Sequence, residues 1–147
     1  MKPYIITLLF LFLGMKNLSY GINYNPHLIQ RKIYRFYTQW DKTKYKYGGT
    51  TKSGVDCSGL MDALYKKEFH KRIPRTTLGI AKFGRRTNLK HLRIGDLILF
   101  KMHHGHHVGV YVGHNKFMQS CNSKGVTISR FSSYWHRHYW QSRRILL

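Results

Sequence analysis

Between His27 and Trp40 the apolar residues Leu28, Ile29, Ile33, Phe36, Tyr37 and Trp40 fall at steps of three and four. That spacing predicts an amphipathic helix with Arg31, Lys32 and Arg35 toward solvent, entered from a short extended lead-in over Ile22 to Pro26. Cys57, Leu60, Met61, Leu64 and Tyr65 share a second helical face, so a helix is expected to start at Asp56 or Cys57 and to end near Glu68 and His70. The segment between the two, Asp41 to Asp56, is rich in Lys, Tyr, Gly and Thr and reads as a loop. Gly48, Gly49 and Gly54 give it backbone freedom. Pro74 then interrupts the chain. Thr76 or Thr77 is placed to cap a short third helix toward Phe83, with Gly84 ending it.

The period then changes. "DLILF" (Asp96 to Phe100), "HVGVYV" (His107 to Val112), "KFMQSC" (Lys116 to Cys121) and "VTISRF" (Val126 to Phe131) read as strands. "GHN" at Gly113 to Asn115 supplies a hairpin turn, and "RRIL" near the end adds a further strand. Helices come first and strands second, which predicts an α+β domain with an antiparallel sheet. No internal repeat or low-complexity linker is evident.

At 147 residues the chain has room for one domain with a single core. Its 26 Lys and Arg against five acidic residues give a net charge of +21. Such a charge predicts attraction to polyanions, whether nucleic acid, anionic lipid headgroups or anionic cell-wall polymers. The N-terminus narrows these. Lys2 precedes the apolar run "PYIITLLFLFLG", which has the length of a signal peptide, and Ser19 and Gly21 supply the small residues of a cleavage site. Residues 1–21 are therefore expected to be a removable export signal, with residues 22–147 forming the working domain. A retained anchor or a buried helix is the alternative. No cysteine follows the run directly, so lipid attachment there is excluded. Only Lys2 and Lys16 lie in this segment, so almost all the charge stays with the domain. Export to the periplasm or cell envelope argues against nucleic acid as a partner.

The two cysteines, Cys57 and Cys121, do not make a disulfide framework. Cys57 stands in "YKYGGTTKSGVDCSGL", where a helix begins. Unpaired backbone N–H groups and the helix dipole favour an anion there, so the thiol pKa is expected to fall and the thiolate to be available for attack. The small residues around it leave room for a substrate carbonyl, and the backbone N–H of Cys57 or Ser58 could meet an oxyanion. The position also fits a packed structural cysteine, which is common in cores. A base can come from "HHGHHVGVYVGH". His107 opens a strand pattern and is expected to face the start of the Cys57 helix across the core. His103, His104 and His106 read as an exposed loop. Zinc, copper or nickel binding is the rival reading of these histidines, but no carboxylate or paired cysteine completes a ligand set, so no metal is expected. Gln119, on the strand after the hairpin turn, can lie beside the imidazole and hold its tautomer. It can equally be a polar side chain on an edge strand. Cys121 shares the face of Gln119, as a packed thiol or as a second thiol near Cys57.

Cys57, His107 and Gln119, with "IPRTT" (Ile73 to Thr77), "LRIGDLILF" (Leu92 to Phe100), "HHVGVYVG" (His106 to Gly113) and "FMQS" (Phe117 to Ser120), resemble the NlpC-type cell-wall cysteine peptidases, a papain-like group. The ending "YW…RRIL" resembles the MepS/Spr-type murein endopeptidases within it. The resemblance implies a papain-like α+β fold, Cys57 as nucleophile, His107 as general base and Gln119 as the orienting residue. It places Tyr45 near the oxyanion site, sets Asp56, Ser58 and Gly59 around the nucleophile, and makes Arg75 and Asp96 structural. Many members of the family carry histidine at the position of Gln119. The implied reaction is hydrolysis of an amide bond in peptidoglycan stem or cross-link peptides, with no cofactor and with the excess charge drawn to anionic envelope polymers. A monomer is expected. A non-catalytic basic wall-binding module is the alternative class. Acyl transfer or amidase action on another substrate would use the same thiol.

Overall fold

The computed structural model describes residues 23–147, so the expected export signal lies outside the described residues. Helix α1 (Pro26–Trp40) starts where Asn25 accepts the Leu28 N–H at 3.1 Å and where Pro26 supplies a preset first turn. It buries Ile29, Ile33 and Phe36, as the apolar spacing requires. The loop that follows contains a two-stranded hairpin, β1 (Thr50–Thr51) and β2 (Gly54–Val55), which the sequence did not signal. Its strands are two residues each, too short for any periodicity to register. Helix α2 (Cys57–Phe69) begins at the cysteine and is capped by Asp56, whose carboxylate accepts the Gly59 N–H at 2.8 Å.

Helix α3 (Thr77–Ile80) is capped by Thr76 and stops well short of Phe83. Its shortness has a reason at Gly84, where the chain turns with φ +68 to enter the sheet beside Arg144 and Ile145. The strands are β3 (Arg85–Thr87), β4 (Leu97–Met102), β5 (Gly105–Gly113), β6 (Lys116–Cys121), β7 (Gly125–Arg130) and β8 (Tyr139–Arg144), with helix α4 (Ser133–His138) before the last. They form one antiparallel sheet in the order β3-β8-β4-β5-β6-β7. The last strand therefore begins at Tyr139, and only Arg143 and Arg144 of "RRIL" belong to it. β5 begins at Gly105, so His106 is a strand residue and not part of an exposed loop.

Period-two alternation gives the sheet two apolar faces. Leu97, Leu99, Val108, Val110, Val112 and Met118 pack against α1 and α2. Ile98, Phe100, Phe117 and Phe131 form a second cluster with Trp135 and Tyr139. Each fully buried side chain of this size is worth about 1.5–3 kcal/mol against exposure, so both clusters matter. The sheet is interrupted at one place that bears on the site. β5 and β6 pair through Val110↔Met118, Tyr111↔Phe117 and Gly113↔Lys116, yet β5 extends back to Gly105 and β6 on to Cys121. The two strands part beyond Val110, and the start of α2 lies at the parting. There Ser120 Oγ donates to the Val55 carbonyl at 2.8 Å.

Candidate active site

Cys57 is the first residue of α2 and 8% exposed. Its sulfur lies 3.7 Å from Thr77 Oγ1, and the backbone N–H groups of Val108 and Ser58 point at it. Those three donors favour the thiolate. Burial works against them and prevails, with a smaller push from the Asp56 charge, so the Cys57 thiol pKa lies above its ordinary value. The sequence expectation of a lowered pKa is thus reversed. A helix terminus is worth a few tenths to about 1 kcal/mol, and desolvation of a nearly enclosed sulfur outweighs it.

His107 also departs from expectation. Alternation along β5 turns Val108, Val110 and Val112 toward α2 and sends His107 to the opposite face, where its ring stacks on Trp135 at 5.6 Å and tilts against Phe100 at 6.0 Å. Its Nε2 lies 2.6 Å from Gln119 Oε1, and Gln119 Nε2 donates to Ser129 Oγ at 2.8 Å. Gln119 Oε1 faces the ring and can only accept, so the imidazole carries its proton on Nε2. Nδ1 is left with a lone pair. Burial holds the His107 pKa below the usual 6.5, against an opposing pull from Gln119. His107 and Gln119 meet across the parting of β5 and β6, and the sulfur reaches the same parting from the other face at the Val108 N–H.

Cys57 opens onto a cleft of about 670 Å³. One wall carries Tyr45, Tyr47, Gly48 and Asp56, another Arg75, Thr76, Thr77 and Leu78, and the third His104, Gly105 and His106. Tyr45 is half-buried, and burial together with the charges of Cys57 and Asp56 raises its pKa. Asp56 is committed to structure. Its carboxylate takes the Gly48 N–H at 2.9 Å, the Gly59 N–H at 2.8 Å and Arg75 Nη1 at 3.0 Å. Ser58 Oγ is likewise held by Arg75 Nη1 at 2.8 Å, leaving its backbone N–H as the group directed at the sulfur. Cys121 and Cys57 are both free thiols, and Cys121 Sγ faces Ser123 Oγ at 3.8 Å. Among the described residues no group of three or more His, Cys, Asp or Glu side chains is placed to hold a metal ion.

The NlpC/P60 family model matches residues 42–144, the stretch that carries every group described above. The chain belongs to the NlpC/P60 family. It is 44% identical over 111 residues to a probable endopeptidase NlpC homolog of Haemophilus influenzae, which covers 75% of this chain and 60% of that one. It is 37% identical over 120 residues to the murein DD-endopeptidase MepS/murein LD-carboxypeptidase of Escherichia coli, covering 80% and 64%. The chain thus spans under two thirds of the length of these two relatives. Among solved structures, an NlpC/P60 family protein from Bacillus cereus superposes with a TM-score of 0.74 at 27% identity, covering 80% of this chain and 40% of that one. The peptidoglycan hydrolase RipB from Mycobacterium tuberculosis shares the fold with a TM-score of 0.70 at 23% identity, over 84% and 67%. The papain-like α+β fold is that of the family.

Three groups beside the thiol and the ring had no role in the sequence reading. The sequence marks Thr77 as a candidate helix cap and as part of "IPRTT", yet its hydroxyl is the side chain beside the sulfur. Trp135 stacks on His107, and nothing in the sequence around it marks a ring partner. The Val108 N–H is backbone, invisible to any motif.

The two pKa directions set a pH prediction. With the thiol raised and the imidazole lowered, both groups are neutral at pH 7, and thiolate accumulates only as pH rises. Alkylation of Cys57 by iodoacetamide is therefore expected to climb with pH to a midpoint above that of a free thiol. Thr77→Val, which keeps the shape and deletes the donor, is expected to move that midpoint further up. Mass-resolved alkylation rates between pH 6 and pH 11 measure both. A midpoint below that of free cysteine would contradict the dominance of burial.

Proposed function

We propose that this protein is a peptidoglycan hydrolase of the cell envelope, a cysteine peptidase that cuts an amide bond in the stem or cross-link peptides. Family membership and relatives named as murein DD-endopeptidases support the substrate class. The single observation that carries the mechanism is the His107 Nε2···Gln119 Oε1 contact at 2.6 Å, which frees Nδ1 on the ring adjacent to the residue whose N–H meets the Cys57 sulfur.

In this reading Cys57 Sγ passes its proton to His107 Nδ1 and attacks the carbonyl carbon. The oxyanion that forms is met by backbone N–H at the start of α2 and by the cleft face of Tyr45. The C–N bond breaks as the imidazolium returns the proton to the leaving amine. Water, deprotonated by the same ring, then hydrolyses the thioester and restores the thiol. Gln119 is a positioning residue. Being neutral, it fixes the tautomer but stabilises the imidazolium less than a carboxylate would, in keeping with a resting pair that is thiol and imidazole. Residues 1–21 would direct the chain to the envelope.

The test is product analysis. Purified protein incubated with cross-linked muropeptides is expected to yield two fragments, with one water added across one amide bond, as read by mass spectrometry. Binding to sacculi with no cleavage of any muropeptide would make the protein a wall-binding module. Products carrying a new acyl acceptor would make it a transferase.

A further inference from the structure

The edge of the sheet opposite β7 carries a charge arrangement that the catalytic reading does not use. β3 pairs with β8 so that Arg85 stands opposite Arg144 and Arg86 opposite Arg143. Like charges directly across an antiparallel ladder are destabilising. One pair is relieved from within, since Arg144 turns inward and its Nε and Nη2 donate to Asp96 at 2.9 and 2.8 Å. The other has no such relief. The chain has five acids. Asp56, Glu68 and Asp96 are paired with Arg75, Arg35 and Arg144, Asp41 accepts from Tyr37, and Asp62 lies on α2.

Arg143 is nevertheless held in place. Its Nε donates to Oε1 of the buried Gln141 at 2.8 Å, and its Nη1 reaches the Gly84 carbonyl at 3.4 Å. Both acceptors are neutral, so they fix the guanidinium without cancelling its charge. Burial and the neighbouring Arg86 both push the Arg143 pKa down, the mark of a cation lacking a counterion. A pair of guanidinium groups, one preset and one exposed, matches the oxygens of a phosphate, which accepts from arginine in parallel bonds. Nothing apolar is required of such a ligand.

We propose that Arg86 and Arg143 form a binding site for the phosphate groups of a soluble polyanionic polymer, separate from the cleft at Cys57. The site does not rest on the proposed hydrolysis and holds whether or not the thiol is reactive. It gives the excess charge a location: a preset arginine pair on one sheet edge.

The test uses the whole protein and fluorescently labelled linear polyphosphate, with anisotropy read at low and physiological salt. The double variant R86Q/R143Q is expected to lose about tenfold in affinity, the scale of one charge-assisted contact pair. The control K116Q/K124Q removes the same charge from exposed lysines elsewhere and is expected to lose no more than about twofold. Muropeptide turnover should not change in either. Thermal melts of R86Q should show a midpoint at or above the parent's, because a repulsion has been removed. Equal losses in the two double variants would reduce the binding to net charge and overturn the site. A response with phosphatidylglycerol vesicles but none with polyphosphate would assign the phosphate to a lipid surface and overturn the polymer. A melting midpoint for R86Q well below the parent's would show that Arg86 has a stabilising partner, against the unrelieved pair.

Discussion

Cys57→Ala is expected to lower muropeptide turnover by roughly 10⁴-fold or more while leaving the fold and sacculus binding intact. The size follows from the role assigned to the sulfur. No other side chain lining the cleft is a thiol, and the aliphatic hydroxyls there, Ser58, Thr76 and Thr77, cannot replace it. Thr76 Oγ1 caps α3 by accepting the Gly79 N–H at 3.1 Å. Ser58 Oγ is engaged by Arg75, and Thr77 Oγ1 faces the sulfur and has no base of its own. Alanine removes one buried atom from a position that is already 8% exposed, so the packing loss is small and the melting midpoint is expected to stay within a few degrees. Cys57→Ser should be nearly as inactive, because a hydroxyl is far less acidic than a thiol and the burial that raises the Cys57 pKa would raise the serine's too. Initial rates on a purified cross-linked muropeptide, with sacculus pull-down as the folding control, measure all of this. Turnover by Cys57→Ala within tenfold of the parent would remove the thiol from the chemistry.

The sequence made some of this legible and could not carry the rest. Helix α2 and the position of Cys57 at its first residue were readable because Leu60, Met61 and Leu64 mark a face and Asp56 is a capping residue. The contact of Gln119 with His107 was readable because a hairpin turn at Gly113 to Asn115 sets which residues of β5 and β6 come together. The direction of the His107 ring was not. Strand alternation alone decides the face, and Val108, Val110 and Val112 claim the helix side. The parting of β5 and β6 beside His107 and Gln119 is a property of pairing with no local sequence signal. The sign of the Cys57 shift was missed for a related reason. The helix terminus is a local feature, whereas the burial that overrides it comes from strands fifty residues away in the chain. β1, β2 and β3 escaped because two or three residues cannot display a period of two, and α4 because six residues make fewer than two turns of helix.

The largest effect expected on stability comes from Asp96→Ala, at about 3–5 kcal/mol. Asp96 is more than a partner for one arginine. Its Oδ1 accepts Arg144 Nε at 2.9 Å, and its Oδ2 accepts Arg144 Nη2 at 2.8 Å and the Arg93 backbone N–H at 2.7 Å. Arg144 Nη2 also reaches the His91 carbonyl at 2.7 Å. Both side chains are nearly enclosed, at 3% and 9% exposure, so screening by water is slight. The network ties the entry to β4 to the end of β8 and lets Arg144 face Arg85 across the ladder without repulsion. Removing the carboxylate leaves a buried guanidinium with one carbonyl and a distant Thr87 hydroxyl, in a chain that already carries +21. Against a total of about 5–15 kcal/mol for a domain, that loss is a third or more. Replacing both partners separates charge from packing. Asp96→Asn with Arg144→Met removes the stranded cation and should recover at least half of the loss, since the desolvated charge and not the missing bond dominates the cost. Urea unfolding of the three proteins, followed by tryptophan fluorescence at one ionic strength, gives the numbers. A loss below about 1 kcal/mol in Asp96→Ala would place the pair with ordinary surface bridges. A double variant no more stable than Asp96→Ala would show that the stranded charge is not the dominant cost.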